Sequence, residues 1–212
     1  LQETVLDLPF SPYLQSLQET ADPVQAEMER EGEARGFPIV GPLVGRLCGT
    51  LATAIGARTV FEMGSGFGYS TLHFARAVGP KGRVVHTEGD LGLSAEAKEW
   101  LAKAGVKSRV DFRIGDAREL LRADRGAYDV VFIDADKHQY PDCLALAKAK
   151  VRVGGLIVTD NTLWSGKVWD RKARDEDTQG VREYNRIAFS DPGLLSTLVP
   201  LRDGVTVSVR VA

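Results

Sequence analysis

The run Val60-Phe61-Glu62-Met63-Gly64-Ser65-Gly66-Phe67-Gly68-Tyr69-Ser70 passes from an apolar, β-favouring segment through alternating glycines to the start of a helix. Glycine adopts backbone angles closed to other residues and lets the chain approach a ligand closely. A strand that ends in such a turn and feeds a helix therefore predicts a βαβ unit with a binding loop at its head. Alone, the pattern does not say which ligand.

Working outward, short β-rich runs alternate with helical stretches. Thr59–Met63, Arg83–Glu88, Val110–Ile114, Tyr128–Asp134 and Gly155–Asp160 are the expected strands, and their alternation implies a doubly wound parallel α/β sheet. Val130-Val131-Phe132-Ile133 and Leu156-Ile157-Val158 are continuously apolar, as central strands covered on both faces must be. They are expected to be neighbours. The C-terminus departs from this pattern: Leu194–Leu201 and Val205–Val211 are β-rich and flank Arg202-Asp203-Gly204, a tight-hairpin signal. The expected sheet is seven-stranded, mostly parallel, and closed by an antiparallel hairpin.

At 212 residues and 43% hydrophobic, the chain can bury one core without disulfides or structural metals, and a single domain, 1–212, is expected. Within it, residues 1–45 read as an N-terminal helical cap and entry segment and 46–212 as the core. Asp22-Pro23 interrupts the helix-favouring stretch Ser16–Arg35, and Gly36–Gly45 leads into an apolar helix ending near Gly56. Cys48 and Cys143 are isolated and read as buried thiols in a reducing, cytoplasmic setting. The opening residues lack the basic, then long apolar, pattern of a signal peptide, and no stretch has the length of a membrane span. A net charge of -2 without a basic block argues against a nucleic-acid partner.

A nicotinamide fingerprint wants glycine or alanine where Tyr69 stands, and Glu62 puts negative charge where phosphates would sit. A cationic ligand reverses that argument: the ammonium and sulfonium of S-adenosylmethionine are attracted by a carboxylate. Glu88, about 20 residues past the loop at the end of its strand, stands where a carboxylate accepts from ribose hydroxyls; otherwise it is a solvated strand-end acid. Asp116-Ala117 follows the third strand, within reach of an adenine edge, and Asp116 also reads as the N-cap of the next helix.

Asp134 and Asp160-Asn161 each follow a central strand at its carboxyl end, the edge where open α/β sheets bind ligands. Adjacent strands lie about 4.8 Å apart, so three oxygen ligands can share one cation. Without nearby Cys or His, magnesium is expected first, with manganese or calcium as alternatives to it, and zinc is disfavoured.

The motifs Glu62–Ser70, Phe132-Ile133-Asp134-Ala135-Asp136-Lys137 and Asp160-Asn161-Thr162-Leu163-Trp164-Ser165-Gly166 resemble the metal-dependent O-methyltransferases that include caffeoyl-coenzyme A and catechol O-methyltransferases, over a stretch from about Phe37 to the C-terminus. The resemblance implies a Rossmann-like core. It implies Asp134, Asp160 and Asn161 as metal ligands, and Val40, Glu62, Gly64, Ser65, Ser70, Glu88, Ala117 and Asp134 as cofactor contacts. It implies Lys137 as the group that takes the proton, which a neighbouring cation would help to keep neutral. The expected reaction is methylation of one hydroxyl of a catechol-like, small phenolic acceptor.

Trp164 and Trp169 either wall a flat acceptor ring or pack a long loop, with Trp164 the nearer to the expected metal. Trp100 reads as core, and His73, His86 and His138 show no metal-ligand spacing. Related proteins that methylate a hydroxylated tRNA base supply a second reading, and a nonenzymatic cofactor-binding module a third. The resemblance also implies a homodimer, to which apolar residues near Phe10, Tyr13 and Leu14 would contribute.

Overall fold

The computed structural model describes residues 11–17 and 22–212. The chain runs through α1 (Ser11–Ser16), α2 (Pro23–Arg35), α3 (Gly41–Ala54), β1 (Thr59–Met63), α4 (Tyr69–Ala77), β2 (Arg83–Glu88), α5 (Leu91–Lys103) and β3 (Val110–Ile114). It continues with α6 (Ala117–Ala123), β4 (Tyr128–Ile133), α7 (Tyr140–Lys150), β5 (Val151–Thr159), α8 (Glu176–Ser190), β6 (Leu194–Val199) and β7 (Val205–Arg210). The seven strands form one sheet in the order β3-β2-β1-β4-β5-β7-β6. Five are parallel, and β7 enters antiparallel between β5 and β6.

Alternation along each central strand explains why the sheet is covered on both sides. Val60, Val130, Phe132, Leu156 and Val158 join a core with residues of α2, α3, α4 and α5. Their neighbours Phe61, Met63, Val131, Ile133 and Ile157 join a second core with α6, α7 and α8. The two apolar runs pair as expected, Val130 with Leu156 through Ile133 with Thr159. Cys48 and Cys143 are free and buried, one in each core.

Asp22 caps α2, accepting from the amides of Val24 and Gln25, and Pro23 takes the first helical position, where its missing N–H is harmless. Trp100 is partly buried against the first core. Phe10 lies outside the described residues; Tyr13 is exposed and Leu14 half-buried. Among the described residues no helix is long and apolar enough to cross a membrane.

Two strand boundaries differ by more than one residue from the sequence reading. β5 begins at Val151, four residues earlier than Gly155, because Val151 already pairs with Tyr128 ahead of a register shift. β6 stops at Val199 rather than Leu201: Pro200 has no amide for the ladder, and Arg202 turns left-handed at φ 51°. The hairpin loop is thus Pro200–Gly204, wider than a two-residue turn, with consequences for the site.

Candidate active site

The strand order reverses between β1, whose successor β2 lies on one side, and β4, which pairs on the other. Ligands bind such sheets at the carboxyl edge of this crossing point. There a cavity of about 470 Å³ is lined by the loop after β1, the ends of β2, β3, β4 and β5, and the segment Phe37–Val40. It gathers Val40, Gly64, Ser65, Ser70, Glu88, Asp116, Ala117, Asp134, Lys137, Asp160 and Asn161. Of the expected site residues, Glu62 and Trp164 are not in the lining: Glu62 is buried, and the Trp164 ring centre lies 5.8 Å from Lys137 Nζ.

The loop after β1 is held by its own neighbourhood. The Ser65 amide donates to the Thr87 carbonyl at 3.1 Å, and the Gly66 amide to Glu88 Oε2 at 2.9 Å. The other Glu88 oxygen accepts from the Asp90 amide at 3.0 Å. Gly64 has φ 87°, and a Cβ there would lie 2.3 Å from the Asp134 carbonyl oxygen, so only glycine lets the β1 loop touch the end of β4.

Glu62 has no exposed surface. Its Oε2 accepts from the Thr71 hydroxyl at 2.5 Å and the Ser65 hydroxyl at 3.4 Å, while Oε1 has no partner among the described residues. Burial pushes its carboxyl up to about 7, against the pull of the Ser70, Thr71 and Ser65 side chains. His86, bonded to the same Thr71 hydroxyl at 3.2 Å, is held down to about 4 by burial.

Asp116 caps α6 through the Arg118 amide at 2.8 Å, and its second oxygen pairs with the Arg118 guanidinium at 2.8 Å. That pairing draws its carboxyl down to about 2. The cap expected of Asp116 is present, the residue also lines the cavity, and both of its carboxylate oxygens are engaged in hydrogen bonds.

On the other side of the crossing, Asp134 accepts from Lys137 Nζ at 2.8 Å. The same ammonium donates to the Ala135 carbonyl at 3.2 Å and lies 5.0 Å and 5.8 Å from the ring centres of Tyr140 and Trp164. Asp160 is buried, and its Oδ1 has no partner among the described residues. Burial first, and the Asp134 charge second, drive the Asp160 carboxyl well above the ordinary carboxylate range, with Lys137 and Arg202 pulling the other way. A buried, unpartnered carboxylate oxygen beside a second carboxylate is a site that gains by holding a cation. Among the described residues no three His, Cys, Asp or Glu side chains are grouped so that they could hold a metal ion, so a cation there would rely on two acids and an amide.

Five carboxyl groups in all, of Glu88, Asp116, Asp134, Asp136 and Asp160, face the cavity against one ammonium, that of Lys137. This field suits a cationic ligand and repels a pyrophosphate. His138, outside the lining, pairs its amide with Asp177 at 3.0 Å. Trp169 is 61% exposed and packs over Gly166.

The comparisons with known proteins agree with this geometry. The O-methyltransferase family profile matches residues 26–211. The chain belongs to the O-methyltransferase family. Within it, a catechol O-methyltransferase of Niastella koreensis is 33% identical over 76% of this chain and 75% of its own length. The O-methyltransferase TomG of Streptomyces achromogenes, involved in tomaymycin synthesis and solved with S-adenosylmethionine, superposes with a TM-score of 0.86 at 28% identity, over 95% of each chain. An O-methyltransferase of Bacillus cereus, solved with S-adenosylhomocysteine, gives 0.85 at 28% identity, over 94% of this chain and 96% of that one. Family membership makes the protein an S-adenosylmethionine-dependent O-methyltransferase and leaves the nonenzymatic reading without support.

The sequence reading missed several residues that shape the site. Phe37, Pro38 and Ile39 line the cavity, but as a nonhelical linker they carry no motif. Asp203, 5% exposed, reads in the sequence only as the middle of a turn. In the structure its Oδ1 accepts from the Ser165 amide at 2.6 Å.

Proposed function

We propose that this O-methyltransferase moves the sulfonium methyl of S-adenosylmethionine to one hydroxyl of a small catechol-like acceptor, with a divalent cation, magnesium first, held by Asp134, Asp160 and Asn161. The observation that carries the reading is the meeting of Asp134 with Asp160, whose buried Oδ1 has no partner among the described residues, in the same cavity as the β1 loop.

In the reaction an O–CH3 bond forms, the S–CH3 bond breaks and the hydroxyl proton is lost. A phenol with pKa near 10 is only about 0.1% ionised at pH 7, a deficit of roughly 4 kcal/mol. The cation supplies positive charge that favours the ionised phenol.

The remaining work falls to side chains. Glu88 orders the β1 loop through Gly66 and, with four lone-pair sites on its carboxylate, can still accept from ribose hydroxyls. Glu62 places negative charge beneath the donor's ammonium and sulfonium. Ala117, at the start of α6, leaves room for the adenine edge, and Val40 closes the cavity from the entry segment. Lys137 Nζ, 11% exposed at side-chain level, is placed so that, as the neutral amine, it would take the hydroxyl proton. Trp164, whose ring stands 5.8 Å from that nitrogen, walls the acceptor ring. The acidic lining disfavours a polyanion, so a small phenol fits better than RNA.

The test is S-adenosylhomocysteine release from a panel of diphenols, with magnesium and after thorough chelation. The expected result is turnover that disappears on chelation and in Asp160→Ala, while that variant still binds S-adenosylhomocysteine. Full activity after chelation, or methylation of bulk tRNA and of no diphenol, overturns the proposal.

A further inference from the structure

Residues 37–40 form a strap between α2 and α3, and all four line the cavity. The strap rests on the loop after β1. A Cβ on Gly66 would lie 3.0 Å from the Phe37 ring, and the Phe37 and Phe67 rings meet edge to face with centres 5.1 Å apart. The strap's own amides bond locally, Phe37 to the Gly32 carbonyl at 2.8 Å and Ile39 to the Phe37 carbonyl at 2.9 Å. Its tie to a distant part of the chain comes from the turn between β6 and β7, where Arg202 Nη1 donates to the Ile39 carbonyl at 2.8 Å.

Two further observations show that the fold makes room for this contact. Gly41, just past the strap, has φ 72°, and a Cβ there would lie 2.7 Å from Arg202 Nη1 and 3.2 Å from its Cζ. Any larger residue at 41 would push the guanidinium off the strap. Arg202 is itself left-handed at φ 51°, a conformation that glycine takes freely and other residues take at a cost. A turn that needed only its backbone would be relieved by glycine there. What arginine adds is a side chain that reaches Ile39. Its charge is of no help to the donor, because a cation beside an acid-lined cavity opposes the sulfonium of S-adenosylmethionine.

We infer that Arg202 is a positioning residue for the methyl donor: through the Ile39 carbonyl it latches the strap against the loop after β1 and so holds the donor in its cavity. The inference goes beyond the acceptor and metal reading and depends on neither.

The experiment measures, by calorimetry, the affinity of S-adenosylmethionine and of S-adenosylhomocysteine for wild type, Arg202→Gly, Arg202→Met and Arg202→Lys. Hydrogen exchange then follows the amides of residues 37–41 with S-adenosylhomocysteine bound. Arg202→Gly and Arg202→Met are expected to bind both ligands about tenfold more weakly, the worth of one hydrogen bond from a charged donor. The strap amides exchange faster in both loaded variants than in loaded wild type. Arg202→Lys, which keeps a donor on a long stem, recovers part of the affinity. The ligand-free melting temperature of Arg202→Gly stays near wild type, because glycine suits the turn. A purely electrostatic role has the opposite sign: without the guanidinium, S-adenosylmethionine binds more tightly and S-adenosylhomocysteine as before. That result, wild-type affinity for both ligands, or weaker binding with unchanged exchange at residues 37–41 overturns the inference. If Arg202→Gly fails to fold, Arg202→Met carries the same outcomes.

Discussion

The loops after β1 and β5 sit on the same edge of the sheet and are built by opposite means. The β1 loop takes its left-handed angles at Gly64, Gly66 and Gly68, where they are cheap, and its hydrogen bonds close within itself and onto the end of β2. The β5 loop takes the same angles at Asn161, Trp164 and Ser165, at roughly 1–2 kcal/mol per residue. It is held from elsewhere: by Asp203, by Asn185 donating to the Thr162 carbonyl at 2.9 Å, and by Tyr140 donating to the Asp160 carbonyl at 2.9 Å. The cofactor side is therefore a cradle specified by adjacent residues. The acceptor side is a shape imposed by α7, α8 and the hairpin, and it can change without disturbing the cradle.

If the two sides are separable, a change at Lys137 should strike the chemistry and spare the donor. Lys137→Met keeps the length of the stem and removes the ammonium. Methyl transfer at saturating substrate is expected to fall about 10²–10⁴-fold, the usual worth of a positioned general base. S-adenosylhomocysteine affinity, measured by calorimetry, should stay near wild type. A matching loss of affinity would break the comparison, because it would mean that the Lys137–Asp134 pair also shapes the donor's seat.

The same division explains what was legible in the sequence. The β1 loop, the five parallel strands and the acids at the ends of β4 and β5 are local patterns, with a period of two, clustered glycines and polar residues at strand ends, and each stands where it was expected apart from the early start of β5. The end of β6 was misplaced because strand propensity in Leu194–Leu201 continues past Pro200, where the ladder cannot. Asp203 was invisible for a deeper reason. Asp-Gly is ordinary turn chemistry, and nothing within a few residues reveals that Ser165, 38 positions away, donates to it. The entry residues Phe37–Ile39 escaped likewise, since their place over the cavity depends on Arg202, which donates to the Ile39 carbonyl at 2.8 Å from the far end of the chain.

Beneath the cradle, Glu62 sharpens the comparison through pH. Its carboxyl rises from 4.5 to about 7 on folding, chiefly by burial. The folded state therefore holds this proton more tightly than the unfolded chain does. The associated stability is complete below about pH 4.5 and is lost as pH rises through about 7. Glu62→Gln removes that loss, worth about 3 kcal/mol by about pH 8. The ligand-free variant is expected to melt higher than wild type at about pH 8, with the gain shrinking towards about pH 4.5, and to bind S-adenosylhomocysteine more weakly. Equal melting temperatures across that range would contradict the buried-charge account.

The smallest expected effect lies at Glu88 and tests whether the cradle works as a unit. Both carboxylate oxygens accept a backbone amide, Gly66 at one and Asp90 at the other. A carboxamide has one acceptor oxygen, so Glu88→Gln leaves one of these amides facing an NH2 group. The position is half-buried, where water can make good part of the loss. Donor affinity is expected to drop about tenfold, roughly 1.4 kcal/mol, as a rise in KM for S-adenosylmethionine. Turnover at saturating donor should stay near wild type, because the Lys137 side is untouched. A fall in turnover without a change in donor KM would place Glu88 with the chemistry and dissolve the boundary between the two loops.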